Sequence, residues 1–290
     1  MSKKFPIISV TGSSGAGTST VKHTFDQIFR REGIKAVSIE GDAFHKYNRA
    51  DMKEQLSQRY AAGDFGFSHF SYEANELTEL ERVFREYGET GKGRTRTYVH
   101  DEGEAAKTGV APGNFTAWAP FEDGSDLLFY EGLHGAVVND EVNLSKLADL
   151  KIGVVPVINL EWIQKIHRDR AQRGYTTEAV TDVILRRMHA YVHCIVPQFT
   201  ETDINFQRVP VVDTSNPFIS RSIPTPDESL VVIRFKNPRG IDFPYLTSMI
   251  YGSWMSRANS IVIPGNKMDL AMQLILTPLI ERLVREAKRA

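Results

Sequence analysis

Cysteine is nearly missing from this chain: Cys194 stands alone among 290 residues. No intramolecular disulfide can form, which excludes a small disulfide-stapled secreted fold and suits a reducing compartment. Long apolar runs are missing too, since none reaches the roughly 18 residues that span a bilayer. Lys3 and Lys4 lead only into the short stretch 5–10, too brief for the core of a secretory signal. The expectation is a cytoplasmic protein with no membrane partner. Nor does charge of one sign dominate: 35 basic and 36 acidic residues give a net charge of −1. A nucleic-acid binder usually carries a strongly basic footprint, so nucleic acid is not an expected partner. No internal repeat or low-complexity tract is visible. What remains is an ordinary globular balance, 41% hydrophobic and 24% charged, in a length that fits one large domain or two small ones.

Periodicity predicts an α/β fold: a mostly parallel sheet flanked by helices, with an additional β extension late in the chain. Residues 5–10 read as a buried strand, then a Gly- and Ser-rich turn, then a helix over 19–31 with Val21, Phe25, Ile28 and Phe29 on one face. Gly33 is a plausible stop, and 35–40 reads as a second strand. Between 41 and 120 one helix is clear, from Leu77, Leu80, Val83, Phe84 and Tyr87 at helical spacing. Residues 91–121 read as loops with a short strand near 95–99. Strands follow at 126–130 and 152–158, helices at 160–172 and 177–195, and strands near 209–213, 229–235 and 259–263. A helix closes the chain over 266–288, where Pro278 is expected to kink it or mark a joint. The organisation expected is a single domain, 1–290, with a basic lid segment near 160–175.

The sharpest local pattern is Gly12-Ser13-Ser14-Gly15-Ala16-Gly17-Thr18-Ser19, with Thr20 beside it. It follows a strand and opens a helix, as the phosphate-binding loop G-x-x-x-x-G-K-S/T does. Glycines let backbone N–H groups curl around phosphate oxygens, and the helix N-terminus adds positive potential. Ser19 holds the magnesium-ligand position. Thr18 stands where the motif has lysine, so a cation for the β- and γ-phosphates must come from elsewhere. A Gly-rich turn with no ligand is the alternative for this segment alone.

Other residues have chemistry to offer beside such a loop. The apolar strand 126–130 ends in Glu131, a carboxylate placed to hold magnesium directly or through water; the bland alternative is a strand that happens to end in Glu. Asp42 follows the second strand, where open parallel sheets bind their ligands, and could accept a proton from a substrate hydroxyl. It could equally be a turn or cap acid. His45 and Arg49 lie four apart and, if that stretch is helical, share a face that could grip an anion such as a sugar phosphate. Lys165, Arg168, Arg170 and Arg173 make the segment 162–174 basic, and a lid helix of this kind can close over ATP and supply the missing positive charge. A solvated helix face is the alternative there. His189, His193 and Cys194 hint at zinc, but no further cysteine supports it, and they read as packing residues.

These segments together resemble the phosphoribulokinases, of the short bacterial type found with the Calvin cycle. The residues that carry the resemblance are GSSGAGTS at 12–19, EGDAFH at 40–45, HFSYEAN at 69–75, AWAPF at 117–121, DLLFYEGLHG at 126–135 and KIHRDRAQRG at 165–174. The loop and the R-D-x-x-x-R-G segment are shared with uridine kinase and pantothenate kinase relatives. The resemblance implies transfer of phosphate from ATP to D-ribulose 5-phosphate, giving D-ribulose 1,5-bisphosphate. It implies Asp42 as general base on the O1 hydroxyl, Asp169 as a further catalytic acid, and Ser19 and Glu131 as magnesium-associated groups. His45, Arg49 and Arg173 would hold ribulose 5-phosphate, with Lys165 and Arg168 acting on the transferring phosphate. Thr18 is no obstacle in this family, whose loop often lacks the lysine. Ala16 and the absence of a cysteine pair exclude the thioredoxin switch of plant-type members. Bacterial members form homo-oligomers, often octamers, with NADH as activator and AMP as inhibitor; Arg234 and Arg257 are named as effector ligands on that footing. Two rival readings stay open, a uridine-kinase-like nucleoside kinase and a non-catalytic nucleotide sensor.

Overall fold

The computed structural model describes residues 4–13 and 18–289, with residues 18–20, 172 and 173 described as backbone alone. The first half runs β1 (Ile7–Thr11), α1 (Thr18–Arg31), β2 (Ala36–Glu40), α2 (Arg49–Ala61), α3 (Leu77–Thr90), β3 (Arg94–Thr95), α4 (Glu102–Thr108), β4 (Ala119–Pro120) and β5 (Leu127–Gly132). The second half runs β6 (Leu150–Val155), α5 (Ile158–Arg173), α6 (Thr177–Ala190), β7 (Ile204–Pro210), β8 (Ser229–Phe235), α7 (Phe243–Met249), β9 (Trp254–Arg257), β10 (Ser260–Pro264) and α8 (Met268–Ala287).

Eight strands form one sheet in the order β2-β5-β1-β6-β7-β8-β10-β9. The first five are parallel and the rest antiparallel, which realises both the expected parallel sheet and its β extension. Strands buried on both faces read as near-continuous apolar runs, and β1 and most of β5 are buried at successive positions, with Ser9 and Thr11 the buried polar residues of β1. Alternate residues serve opposite cores. Ile8, Val10, Leu127 and Phe129 face α1 and α8, whereas Ile7, Leu128 and Tyr130 face α3. On the first side Phe129 packs against Phe25 and Phe29, with ring centroids 4.7 and 5.6 Å away.

Several boundaries depart from expectation. The strand placed near 209–213 lies at Ile204–Pro210, because Phe206 and Ile204 supply its buried face. Helix α2 was not anticipated; Met52 is its buried residue, so it carries almost no apolar stripe to read. Pro278 sits inside α8 without ending it. The helix expected over 177–195 ends as α at Ala190 and continues through a π turn, Tyr191–Ile195.

The topology brings the carboxyl ends of β2, β5 and β1 side by side. Two glycines permit it: a Cβ on Gly41 would lie 2.8 Å from the Gly132 Cα. The Gly12 N–H donates to the Gly132 carbonyl at 3.1 Å. The start of the Gly-rich loop, Glu131 and the Asp42 turn therefore share one edge, where open parallel sheets place their ligands.

Candidate active site

Asp42 sits in a single 3-10 turn, Gly41–Phe44, directly after β2. Two imidazoles face its carboxylate, His45 Nε2 at 3.1 Å and His100 Nε2 at 3.4 Å. Burial opposes its ionisation. The hydrogen bond from His45 and the fields of His45, His100 and His69 outweigh that, holding Asp42 at about 2. Its side chain nevertheless keeps 41% of its surface open, so a substrate can reach it.

The protonation of His45 follows from its neighbours. Asn75 Nδ2 donates to the carbonyls of His69 (3.0 Å) and Ser71 (2.8 Å), with His134 Nε2 also 3.1 Å away. That fixes the amide with its Oδ1 towards His45 Nδ1, 2.8 Å away. His45 Nδ1 must therefore donate, and with a carboxylate at Nε2 so must that nitrogen. Two donors define an imidazolium. Burial pushes the His45 pKa down, but the Asp42 hydrogen bond and charge, with Asn75, raise it overall. Further along, burial drives His69 and His134 down to about 3, so both stay neutral.

His45 and Arg49 do not share a helical face, contrary to the conditional expectation. His45 is extended, and Asn48 caps α2 so that Arg49 is its first residue. His100 bridges them instead. Its ring faces Asp42, while its carbonyl accepts from Arg49 Nη2 at 2.9 Å.

Helix α5 brings the second cluster. Lys165 Nζ donates to Asp169 at 2.6 Å and Arg168 Nε at 3.1 Å, and Asp169 is almost wholly buried. Burial and the Arg187 charge lower the Lys165 pKa, against the pull of Asp169. One turn earlier, buried Glu161 accepts a short hydrogen bond from Ser13 Oγ, tying the start of the Gly-rich loop to this helix. Burial raises the Glu161 pKa. His69, its ring centroid 5.4 Å from that of His45, feels charges of both clusters, Arg187 and Lys165 as well as His45 and Asp42. A cavity of 30 Å³, the room of a water or two, lies beside Lys165 and Glu161 and is closed by Phe70, Trp162, Arg187 and Tyr191.

Glu131 ends β5 opposite Val10 and Glu40. Lys22, one turn into α1, feels the charge of Glu131 and pairs closely with Glu40. Ser14, Gly15, Ala16 and Gly17 lie outside the described residues, as do the side chains of Thr18, Ser19, Thr20 and Arg173. Arg234 and Arg257 are exposed and lie away on β8 and β9, each paired with Ser260 of the strand between them. His189 and His193, expected as packing residues, lie on the surface instead, stacked at 4.3 Å. Among the described residues no group of three or more His, Cys, Asp or Glu side chains is arranged to hold a metal.

Residue spacing missed His69, Asn75, His100, His134, Glu161 and Arg187. His69, Asn75 and His134 do fall within the segments HFSYEAN and DLLFYEGLHG, where resemblance rather than spacing could have raised them.

A model of the phosphoribulokinase / uridine kinase family matches residues 7–215. The chain belongs to this family. It is 87% identical over its full length to phosphoribulokinase 2 of Cereibacter sphaeroides, covering 99% of that protein. It is 71% identical to the phosphoribulokinase of Nitrobacter vulgaris, with both chains fully covered. Among solved structures, a phosphoribulokinase from Rhodobacter spheroides superposes with a TM-score of 0.92 at 83% identity, covering 99% of this chain and 100% of that one. Kinase membership makes ATP the phosphoryl donor.

Proposed function

We propose that the protein phosphorylates the C1 hydroxyl of D-ribulose 5-phosphate with ATP, giving D-ribulose 1,5-bisphosphate for carbon dioxide fixation. The full-length likeness to phosphoribulokinases carries this reading. Asp42 is the base. In a loose phosphoryl-transfer transition state the attacking hydroxyl has formed little bond, so its proton leaves late and a weakly basic carboxylate suffices. The His45 imidazolium keeps Asp42 ionised and aimed. Lys165 and Arg168, both held by Asp169, bring the positive charge that Thr18 cannot supply. Residues 12–20 cradle the triphosphate, and His45, Arg49 and Arg173 take the sugar phosphate.

Magnesium is placed by this reading at the edge beside the start of the loop, where Glu131, opposite Val10 of β1, offers a carboxylate near Gly12. Glu131 and Ser19 would hold it, and it would neutralise charge on the β- and γ-phosphates. Self-association through β9 is part of the same reading. This strand ends the sheet; its Trp254 and Met255 are 46% and 37% exposed, and Tyr251 in the turn before it is 89% exposed. An unpaired edge with aromatic side chains suits a second copy; octamers remain what the resemblance implies. Arg234 and Arg257, flanking Ser260, are proposed to take the anionic groups of NADH or AMP. Alanine at both positions should abolish NADH activation, and unchanged activation would remove them from that role.

The test is product identity. Phosphorus NMR of the reaction should show ADP and a sugar carrying two phosphomonoesters. An ATP hydrolysis pattern with no new phosphomonoester would refute the transfer.

A further inference from the structure

We infer that Arg96 is a positioning residue for the reaction, holding the Asp42 turn in place from the loop segment that carries β3 and β4. Arg96 Nε donates to the Ala43 carbonyl at 2.8 Å and Nη2 to the His45 carbonyl at 2.7 Å. The remaining carbonyls of the turn are already engaged: Asp42 O accepts from His45 N at 3.2 Å and Phe44 O from Glu76 N at 2.7 Å. With Arg96 in place, every carbonyl from 42 to 45 has a donor, and the loop between base and imidazolium cannot relax without breaking one.

The guanidinium is itself held. Its carbon lies 3.8 Å from the Phe115 ring centroid and 4.7 Å from that of Trp118. Trp118 also meets Phe44 of the turn edge-on at 5.6 Å. Arg94 lies over the same Trp118 ring at 5.1 Å and pairs with Glu79 of α3 at 3.0 Å. A planar fork clamped between aromatic faces can serve two carbonyls at once; the ammonium of lysine, a point charge on a flexible stem, cannot. These contacts are all made among residues 43–45, Glu79 of α3 and residues 94–118.

The inference rests on Asp42 as base. Displacing a reacting group by an ångström can cost about 100-fold in rate. Arg96→Lys and Arg96→Ala should each lose kcat on that order while the ATP dissociation constant, measured by calorimetry, stays unchanged. Free guanidinium or ethylguanidinium at millimolar concentration should restore part of the kcat of Arg96→Ala and leave the wild type unaffected. A purely structural role would lower the melting temperature and weaken ATP binding in step with activity, without rescue, and that result would overturn the inference. So would a wild-type kcat in Arg96→Lys. If Arg96→Ala does not fold, Arg96→Lys decides by the same split between kcat and ATP affinity. Asp42→Asn measured alongside separates the two readings: retained turnover there removes the base itself, whereas lost turnover there with normal Arg96 variants removes only the clamp.

Discussion

Asp42 and His45 form an ion pair whose two halves respond to pH in opposite directions. The Asp42 pKa in the fold, about 2, lies below the roughly 3.9 of an unfolded chain. Its contribution to stability is present above that unfolded value and is lost as pH falls through about 2. His45 is raised, so its contribution is complete below its unfolded value of about 6.5 and fades as pH rises through the folded one. The pair is strongest between these windows. Replacing His45 by Asn removes the imidazolium and leaves the burial, so Asp42 should climb to or beyond the ordinary carboxylate range. The acid limb of kcat against pH should move upward accordingly, and an unmoved limb would mean another group sets it. Asp42→Asn should cost about 10²–10⁴-fold in kcat while ATP still binds, which equilibrium dialysis can check. Asp42 and His45 were legible in the sequence because both follow directly on β2, at the strand end where open parallel sheets place their ligands. His100 and Asn75 were not, since their partners lie 58 and 30 residues away and only folding brings them to Asp42 and His45.

Elements explain why the two clusters stay together. Helix α5 carries Glu161, Lys165, Arg168 and Asp169 on one side, and the hydrogen bond of Glu161 with Ser13 ties this helix to the residues that follow β1. Asp169→Ala would leave the two cations without their shared carboxylate. Removing one partner of a buried pair typically costs about 3–5 kcal/mol, so chemical denaturation should show a loss of this order, and a loss near zero would mean solvent already screens the cluster. Within the sheet, Phe129→Ala should cost about 3–5 kcal/mol, because Phe129 is fully packed against Phe25 and Phe29. Strand β5 was readable as a continuous apolar run, and helix α3 because its buried residues recur at helical spacing. Helix α2 fully buries Met52, with Leu56 partly buried beside it, and the seven-residue α7 is too short for a period to emerge. The strand misplaced near 209–213 failed for a related reason: Val211 and Val212 look strand-like yet are 60% and 40% exposed.

For the whole molecule, a sheet that is parallel at one end and antiparallel at the other separates functions by distance. The parallel end gathers Gly12, Ser13, Glu131 and Asp42, and the antiparallel end leaves β9 with an open edge. Met255→Lys would place a charge on that edge, and such charges discourage strand pairing. Light scattering should then report a smaller assembly with the fold intact, and an unchanged mass would move the interface elsewhere. The acceptor decides the central claim. ADP release should be followed with ribulose 5-phosphate, uridine, pantothenate and no acceptor. Turnover with ribulose 5-phosphate alone is the expected result; turnover with uridine, or tight ATP binding with no turnover on any acceptor, would contradict it.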